Sequence, residues 1–356
     1  MLKNKKTLNL KNPRVWIVLV LIVLVLGGTG FMFRRDLIPI NMVHTLKIAI
    51  NGTPTFTPVP TDYPTFAPFP TRTPVPLLPN ADAVLIGAGD IVKCGDDGSK
   101  ITAAIIDRFP GVPIFTAGDT SNDSGTPEQY QDCVASTWGR FKDRIYPATG
   151  NHDYFTANAY GYFQYFGEAA GDPHGGYYSF NLGAWHIVML NSECHEIGGC
   201  QPGSPEETWL KADLAAWPAK CTMAVMHKPL FVSGAPSNPQ IRPLWQDLYN
   251  AGADLVISGH EHHYERFTPL TPQGKPDMAT GIREIIVATG GAILEDPKGP
   301  QLSTSEMIIS QEYGVIKLDL HPTGYAWQFI PEEEDKDKDD QTEPPTKIDS
   351  GQGTCH

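Results

Sequence analysis

The sequence has six cysteines but no C-x-x-C pair among them, which argues against a zinc ribbon. It has no sustained heptads and no internal repeat, and its many aromatics and apolar runs exclude collagen, a coiled coil and a wholly disordered chain. Basic charge is in deficit, with 27 Lys and Arg against 40 Asp and Glu, a formal net charge of −13. The deficit is concentrated in the middle: residues 1–80 carry a net +7, residues 331–356 a net −6 and residues 81–330 a net −14. A domain so charged repels polyanions, so no nucleic-acid binding is expected. A phosphate-bearing substrate remains open where bound metal ions reverse the charge locally.

Charge is also missing from residues 15–33, an apolar run of nineteen. At about 1.5 Å per residue it approaches the thickness of a bilayer core. Five basic residues precede it (Lys3, Lys5, Lys6, Lys11 and Arg14) and only Arg34 and Arg35 follow closely. The positive-inside rule then predicts a cytoplasmic segment at 1–14, a transmembrane signal anchor at 15–33 and everything after it outside the cell. No A-x-A-like cleavage site follows the run and no cysteine lies near it. These absences favour an anchor over a cleaved signal peptide, the alternative being secretion after cleavage, and argue against a lipoprotein. Residues 51–79 hold nine Pro and seven Thr, so 34–80 reads as an extended Pro/Thr-rich linker. The cysteines fall on the predicted outer side, where disulfides persist. Cys94–Cys133 is one expected bridge, a second is expected among Cys194, Cys200 and Cys221, and Cys355 is expected to be free. Residues 331–356 read as a disordered acidic tail.

That leaves 81–330 as one folded domain. A continuous apolar run at Ala83–Ala88 reads as a buried strand, and further strands are predicted at 113–117, 144–149, 222–226 and 254–258. Helical patterns fall at 99–109, 126–138, 204–217 and 239–250, with Ser204 and Glu207 forming a capping box. A hairpin is expected about Gly183, and more strands at 284–288, 313–318 and 325–330. The alternation predicts an α/β fold with a mainly parallel sheet, and the closely spaced later strands predict a second, more antiparallel one. In open α/β sheets, sites form beyond the carboxyl ends of strands. Five predicted strands run into Asp90, Asp119, Asn151-His152, His227 and His260-x-His262, four of them through a glycine that permits a sharp turn. Two carboxylates, an amide oxygen and three imidazoles suit a pair of Fe, Zn or Mn ions.

This order of motifs (GD, GD, GNHD, H, GHEH) resembles the calcineurin-like metallophosphoesterase superfamily, and GHEHHYER at 259–266 is similar to its purple-acid-phosphatase branch. The resemblance implies a four-layer αββα sandwich of two mixed β-sheets flanked by helices, and a dinuclear metal centre. It implies one metal on Asp90, Asp119 and His262, and another on Asp119, Asn151, His227 and His260. It implies His152 as the group serving the leaving oxygen, with Asp153 orienting it. Two departures stand out. Val92 replaces the histidine of a D-x-H motif, and Asn122 stands where the purple acid phosphatases place a metal-bound tyrosine. Asn122 or Asp123 is therefore a candidate for a weak ligand or a supporting role, and iron-loaded protein is expected to lack a tyrosinate colour. His263, Tyr264, Arg266 and His195 are candidate substrate contacts, with Arg266 also read as the partner of a carboxylate. Tyr154, Phe155, Tyr160, Tyr162, Phe163, Tyr165 and Phe166 read as a packed aromatic cluster.

The implied function is an acid phosphatase-like phosphomonoesterase using a bridging hydroxide on a phosphate ester, tethered to the membrane by its N-terminal helix, with no protein partner predicted. A phosphodiesterase or nucleotidase on the same site is the first alternative, with selectivity set by loops 155–176, 192–204 and 232–240. A surface-anchored, non-catalytic binding protein is the alternative of another class.

Overall fold

The computed structural model describes residues 76–332 and 348–356. The described residues all fall within one compact unit, 61–356, and the expected basic segment, anchor and most of the linker lie outside them. Among the described residues no helix is long and apolar enough to cross a membrane. The last residues read as linker are docked: the Leu78 N–H donates to the Gly183 carbonyl at 2.9 Å.

Among the described residues thirteen strands build two mixed sheets. They are β1 (Ala83–Ala88), β2 (Ile114–Ala117), β3 (Ile145–Ala148), β4 (Tyr178–Leu182), β5 (Trp185–Met189), β6 (Cys221–Val225), β7 (Leu255–Ser258), β8 (Tyr264–Phe267), β9 (Arg283–Val287), β10 (Ser305–Ile309), β11 (Gly314–His321), β12 (Gly324–Pro331) and β13 (Ser350–Thr354). The helices are α1 (Gly98–Asp107), α2 (Tyr160–Phe166), α3 (Pro205–Ala216) and α4 (Arg242–Asn250), with shorter turns between. The first sheet runs β13-β12-β11-β1-β2-β3 and the second β10-β8-β9-β7-β6-β5-β4. In the first, β1, β2 and β3 are parallel and β11 to β13 antiparallel; in the second, β5, β6, β7 and β9 are parallel and the outer strands antiparallel. The expected assignment of the later strands is thereby corrected. β11 and β12 do not start the second sheet but return to pair with β1, completing the first.

Strand periodicity explains the layering. Side chains alternate across a sheet, so Ile187, Met189, Met223, Val225, Leu255, Ile257, Ile285 and Val287 enter the core shared with β1, β11 and β12. Their neighbours Val188, Ala224, Val256 and Ile286 face the other way, onto Leu210 of α3 and Leu244, Trp245 and Leu248 of α4. Both faces of these strands are dry, which is why they read as unbroken apolar runs.

The pattern expected to be one helix at 126–138 is broken. Thr126 and Gln129 form a capping box for a single turn, followed by a wider π-turn at Tyr130–Val134. That segment is anchored at both ends, by the Tyr130 hydroxyl on Asp153 and by the Cys94–Cys133 disulfide. The other disulfides are Cys194–Cys200 and Cys221–Cys355, so Cys355 is not free and the described residues hold no free cysteine.

The expectation of a disordered tail is corrected at its far end. Ser350–Thr354 is a strand on β12, and Asp349, only 4% exposed, accepts bonds from Tyr264, Arg266 and Trp327. Residues 333–347 lie outside the described residues. Pairing and covalent closure impose the strand on a sequence, SGQGT, with no apolar pattern of its own.

Candidate metal centre

The carboxyl ends of the parallel strands of both sheets meet at one edge of the sandwich. Asp90 follows β1, Asp119 follows β2 and Asn151 follows β3; His227 follows β6 and His260 follows β7. The sheets are stitched there by backbone hydrogen bonds, Gly89 N to Val287 O at 2.7 Å and Gly290 N to Gly89 O at 3.0 Å. Such an approach needs glycine: a Cβ on Gly259 would sit 2.5 Å from the Ala117 carbonyl oxygen and 2.7 Å from Asp90 Oδ2, and one on Gly150 would sit 2.1 Å from Asp119 Oδ1. Asp90, Asp119, His260 and His262 all have positive φ, between 49° and 76°, the left-handed region that non-glycine residues rarely occupy. Strain of this kind persists where surrounding structure over-determines it, and clusters at functional sites.

The side chains converge. Ligand atoms of Asp90, Asp119 and His227 lie within 4.8 Å of one another. His227 Nε2 is 3.2 Å from Asp119 Oδ2, 3.0 Å from Asn151 Oδ1 and 3.1 Å from His260 Nδ1. On the other side His262 Nε2 is 3.3 Å from Asp90 Oδ1. Three imidazoles are oriented alike, each Nδ1 held by a backbone carbonyl: His227 by Ala117, His262 by Ile293 and His152 by Asp123. Each therefore turns Nε2 inward, the disposition that metal-ligating histidines show when their other nitrogen is held.

Electrostatics point the same way. Burial opposes a charge on His227, yet the adjacent Asp119 carboxylate carries its pKa up to about 10. Burial likewise opposes a charge on His262, which its bond to Asp90 raises to about 9. Burial and the neighbouring His227 push His260 down to about 4. Burial would raise Asp90, but His262, His227 and His260 together hold it below the usual carboxylate range. Two buried carboxylates thus draw positive charge to this spot, and a cation could take the place of the protons on His227 and His262. The donor set and the inward nitrogens fit a metal pair sharing Asp119.

Asn122, 3% exposed, donates its amide to both carboxylates, 3.2 Å to Asp90 Oδ1 and 3.3 Å to Asp119 Oδ2. It stands beside the cluster as a donor. Asp123 is turned away; its carboxylate accepts from Cys94 N at 2.7 Å and pairs with Lys93.

Several expected contacts are corrected. Asp153 does not touch His152's ring. It is buried and accepts from the Tyr130 hydroxyl at 2.5 Å and from Gly150 N at 2.9 Å, so it fixes the loop that carries Asn151. Burial, with Asp119 nearby, pushes its pKa up to about 8. Tyr264 and Arg266 point into the fold, onto Asp349. His263, 2% exposed, sits against Glu265 and its own loop's Glu261 carbonyl. His195 lies on the surface, 3.2 Å from Gln240. None of these four joins the cluster.

Sequence reasoning also missed two residues beside it. Glu193 pairs with Lys228 at 2.5 Å, and its Oε1 is buried with no hydrogen-bond partner. Phe155 leaves the expected aromatic cluster and stands 64% exposed. Its place two residues after the GNHD motif was the available signal.

Two sheets back to back, with a cluster of carboxylates and imidazoles at their joined edge, define the metallophosphoesterase fold. A family model described as calcineurin-like phosphoesterase matches residues 72–264, more than half of the sequence, and the chain belongs to that family. Its relatives lie in the purple-acid-phosphatase-like branch. It is 36% identical over 110 residues to probable purple acid phosphatase 20 of Arabidopsis thaliana, covering 28% of this chain and 25% of that protein. It is 28% identical over 249 residues to purple acid phosphatase 18 of the same plant, covering 62% and 52%. The chain thus spans about a quarter to a half of the length of these curated relatives. Among solved structures it is similar in fold to purple acid phosphatase PPD1 from yellow lupin, with a TM-score of 0.60 at 18% identity over 72% of this chain and 52% of that one. It is similar too to GAP50, the anchor in the inner membrane complex of Plasmodium, with a TM-score of 0.56 at 16% identity over 71% and 85%.

Proposed function

We propose that this protein hydrolyses phosphoric monoesters with two bound metal ions drawn from Fe, Zn and Mn. The observation that carries the reading is the convergence of Asp90, Asp119 and Asn151 from one sheet with His227, His260 and His262 from the other, centred on Asp119. Asp90, Asp119 and His262 would hold one ion; Asp119, Asn151, His227 and His260 would hold the other. Bound there, the ions supply Lewis acidity and a nucleophile drawn from water.

The chain's own residues position and protonate. The ester phosphate, an anion, would enter a domain of net negative charge only where ions bound at this cluster offset that charge. His152 has Nδ1 committed to the Asp123 carbonyl and Nε2 facing the cluster, 3.8 Å from Asp119 Oδ2. As imidazolium it gives its Nε2 proton to the leaving oxygen and then returns to the neutral form. Asp153 supports this by holding the Gly150–Asn151 turn closed.

The location proposed is outside the cell, with residues 15–33 as a membrane anchor and the N-terminus cytoplasmic. Three disulfides support an oxidising compartment.

The test is hydrolysis of p-nitrophenyl phosphate and of its bis ester by the full chain, supplied with Zn, Mn or Fe and compared with a chelated sample. Metal-dependent turnover of the monoester is the expected result. Preference for the bis ester would replace it with a diesterase reading. Protein that retains two equivalents of metal and hydrolyses neither ester would leave the binding-protein reading in its place.

A further inference from the structure

Among the described residues, six large hydrophobic side chains are exposed: Leu78, Phe155, Met278, Ile293, Leu302 and Ile348. Two of them touch histidines of the candidate metal centre, Phe155 through its ring and Ile293 through its carbonyl. Phe155, 64% exposed, lies with its ring centroid 4.7 Å from the His152 imidazole, tilted at 51°. Ile293, 52% exposed, provides the carbonyl that holds His262 Nδ1. Local geometry explains Phe155. Asp153–Phe155 is one turn of 3-10 helix, closed by the Phe155 N–H on the His152 carbonyl. Successive side chains in such a turn diverge by about 120°. Asp153 and Tyr154 go inward, to Tyr130 and Asn191, and Phe155 is left pointing out beside His152.

A scattered surface aromatic needs no explanation. This one touches the group proposed to protonate the leaving oxygen, so whatever carries that oxygen passes beside its ring. We propose that Phe155 is a specificity-determining residue that receives an aromatic leaving group, so that the preferred substrates are aryl-bearing phosphate monoesters. The inference rests on the phosphomonoesterase reading above. It adds the chemistry of the alcohol side, which the metal cluster does not specify. Offset or edge-on stacking of two rings is worth about three- to tenfold in affinity beyond simple burial.

The experiment compares 1-naphthyl phosphate with 2-glycerophosphate, using metal-loaded full chain, Phe155→Ala and the distant control Met278→Ala. For Phe155→Ala, kcat/KM for the naphthyl ester is expected to fall about fivefold more than for the glycerol ester, chiefly through KM. Comparing variant with wild type on each ester cancels the intrinsic difference between the leaving groups. Met278→Ala is expected to leave the ratio of the two esters unchanged. Phe155→Trp, which keeps an aromatic face, is expected to restore the preference. Equal losses on both esters, or no loss on either, would overturn the proposal. If the wild type hydrolyses neither ester, the phosphomonoesterase reading fails on its own. Calorimetric binding of 1-naphthyl phosphate against inorganic phosphate then decides on Phe155, with a tighter naphthyl ester that loses its advantage in Phe155→Ala as the supporting result and equal affinities as the overturning one.

Discussion

The Tyr264 hydroxyl donates to Asp349 across 2.6 Å, joining β8 to a residue 85 positions further along the chain. The same carboxylate accepts from Arg266 Nε and Nη2 and from Trp327 Nε1. A segment whose composition looks like solvated tail thereby supplies a buried charge to the second sheet. Asp349→Ala should leave Arg266 with only the part-exposed Glu306 carboxylate, strip Tyr264 and Trp327 of their acceptor, and lower unfolding free energy by about 3 kcal/mol. A urea midpoint within error of the wild type would show that the pair contributes nothing.

The Glu193–Lys228 pair lies beside His227, with the Glu193 side chain 8% and Lys228 25% exposed. Lys228→Met would strand a buried carboxylate whose Oε1 already lacks a partner. A loss of about 2–3 kcal/mol is expected. Adding Glu193→Gln should recover part of it. A double-mutant cycle in urea reads the coupling, and strict additivity would mean the two groups do not interact.

Glu206, at the start of α3, is fully buried and accepts from Asn191 N at 2.7 Å. Burial pushes its carboxyl up to about 8. The folded state therefore holds this proton where the unfolded chain has released it. Its contribution to stability is complete below about pH 4.5, is lost as pH rises toward 8 and stays lost above that. The slope it adds in that window is at most about 1.4 kcal/mol per pH unit. Glu206→Gln keeps the amide oxygen for Asn191 and should remove the slope, gaining on the wild type as pH rises from 5 to 8.5. Parallel stability curves for the two proteins would refute this.

Removing the shared carboxylate should weaken both proposed ion sites. Asp119→Ala is expected to lower bound metal, read by atomic absorption, from two equivalents to one or fewer, and turnover by about a thousandfold or more. Asn151→Ala should cost one equivalent. Retention of both ions in either variant would overturn the assignment. Because Asn122 is an amide tied to Asp90 and Asp119, iron-loaded wild type should show no intense visible band; a strong one would mean that a phenolate reaches the metal.

Much of this is legible in the sequence. Ala83–Ala88 is a strand as read, and Asp90, Asp119, Asn151, His227 and His260 each follow a strand that apolar runs had marked. Buried parallel strands are dry on both faces, so their signal needs no knowledge of partners. The failures have the opposite character. β8 is YERF, in which Glu265 is buried on Ser233 and Arg266 is neutralised by Asp349, so its polarity concealed a strand. β10 is partly exposed, and β13 is held by pairing that no local pattern encodes. The role expected of Asp153 missed because adjacency in sequence does not fix direction: the turn after Asn151 sends it to Tyr130 while a carbonyl 29 residues upstream takes His152.

The Cys221–Cys355 disulfide closes a covalent circuit through both sheets, because Cys221 opens β6 in one and Cys355 follows β13 in the other. Cys221 stands at the end of β6 opposite His227, so the sandwich is bound like a book along its spine while the ligands meet at the fore-edge. The leaves are fastened at both margins, by the Gly89–Val287 and Gly290–Gly89 backbone bonds at the fore-edge and by the disulfide at the spine. The spacing between the Asp90–Asp119 page and the His227–His260 page is thus set partly by a disulfide at the other end of the strands, and a reducing compartment would loosen the proposed metal site without touching any of its residues.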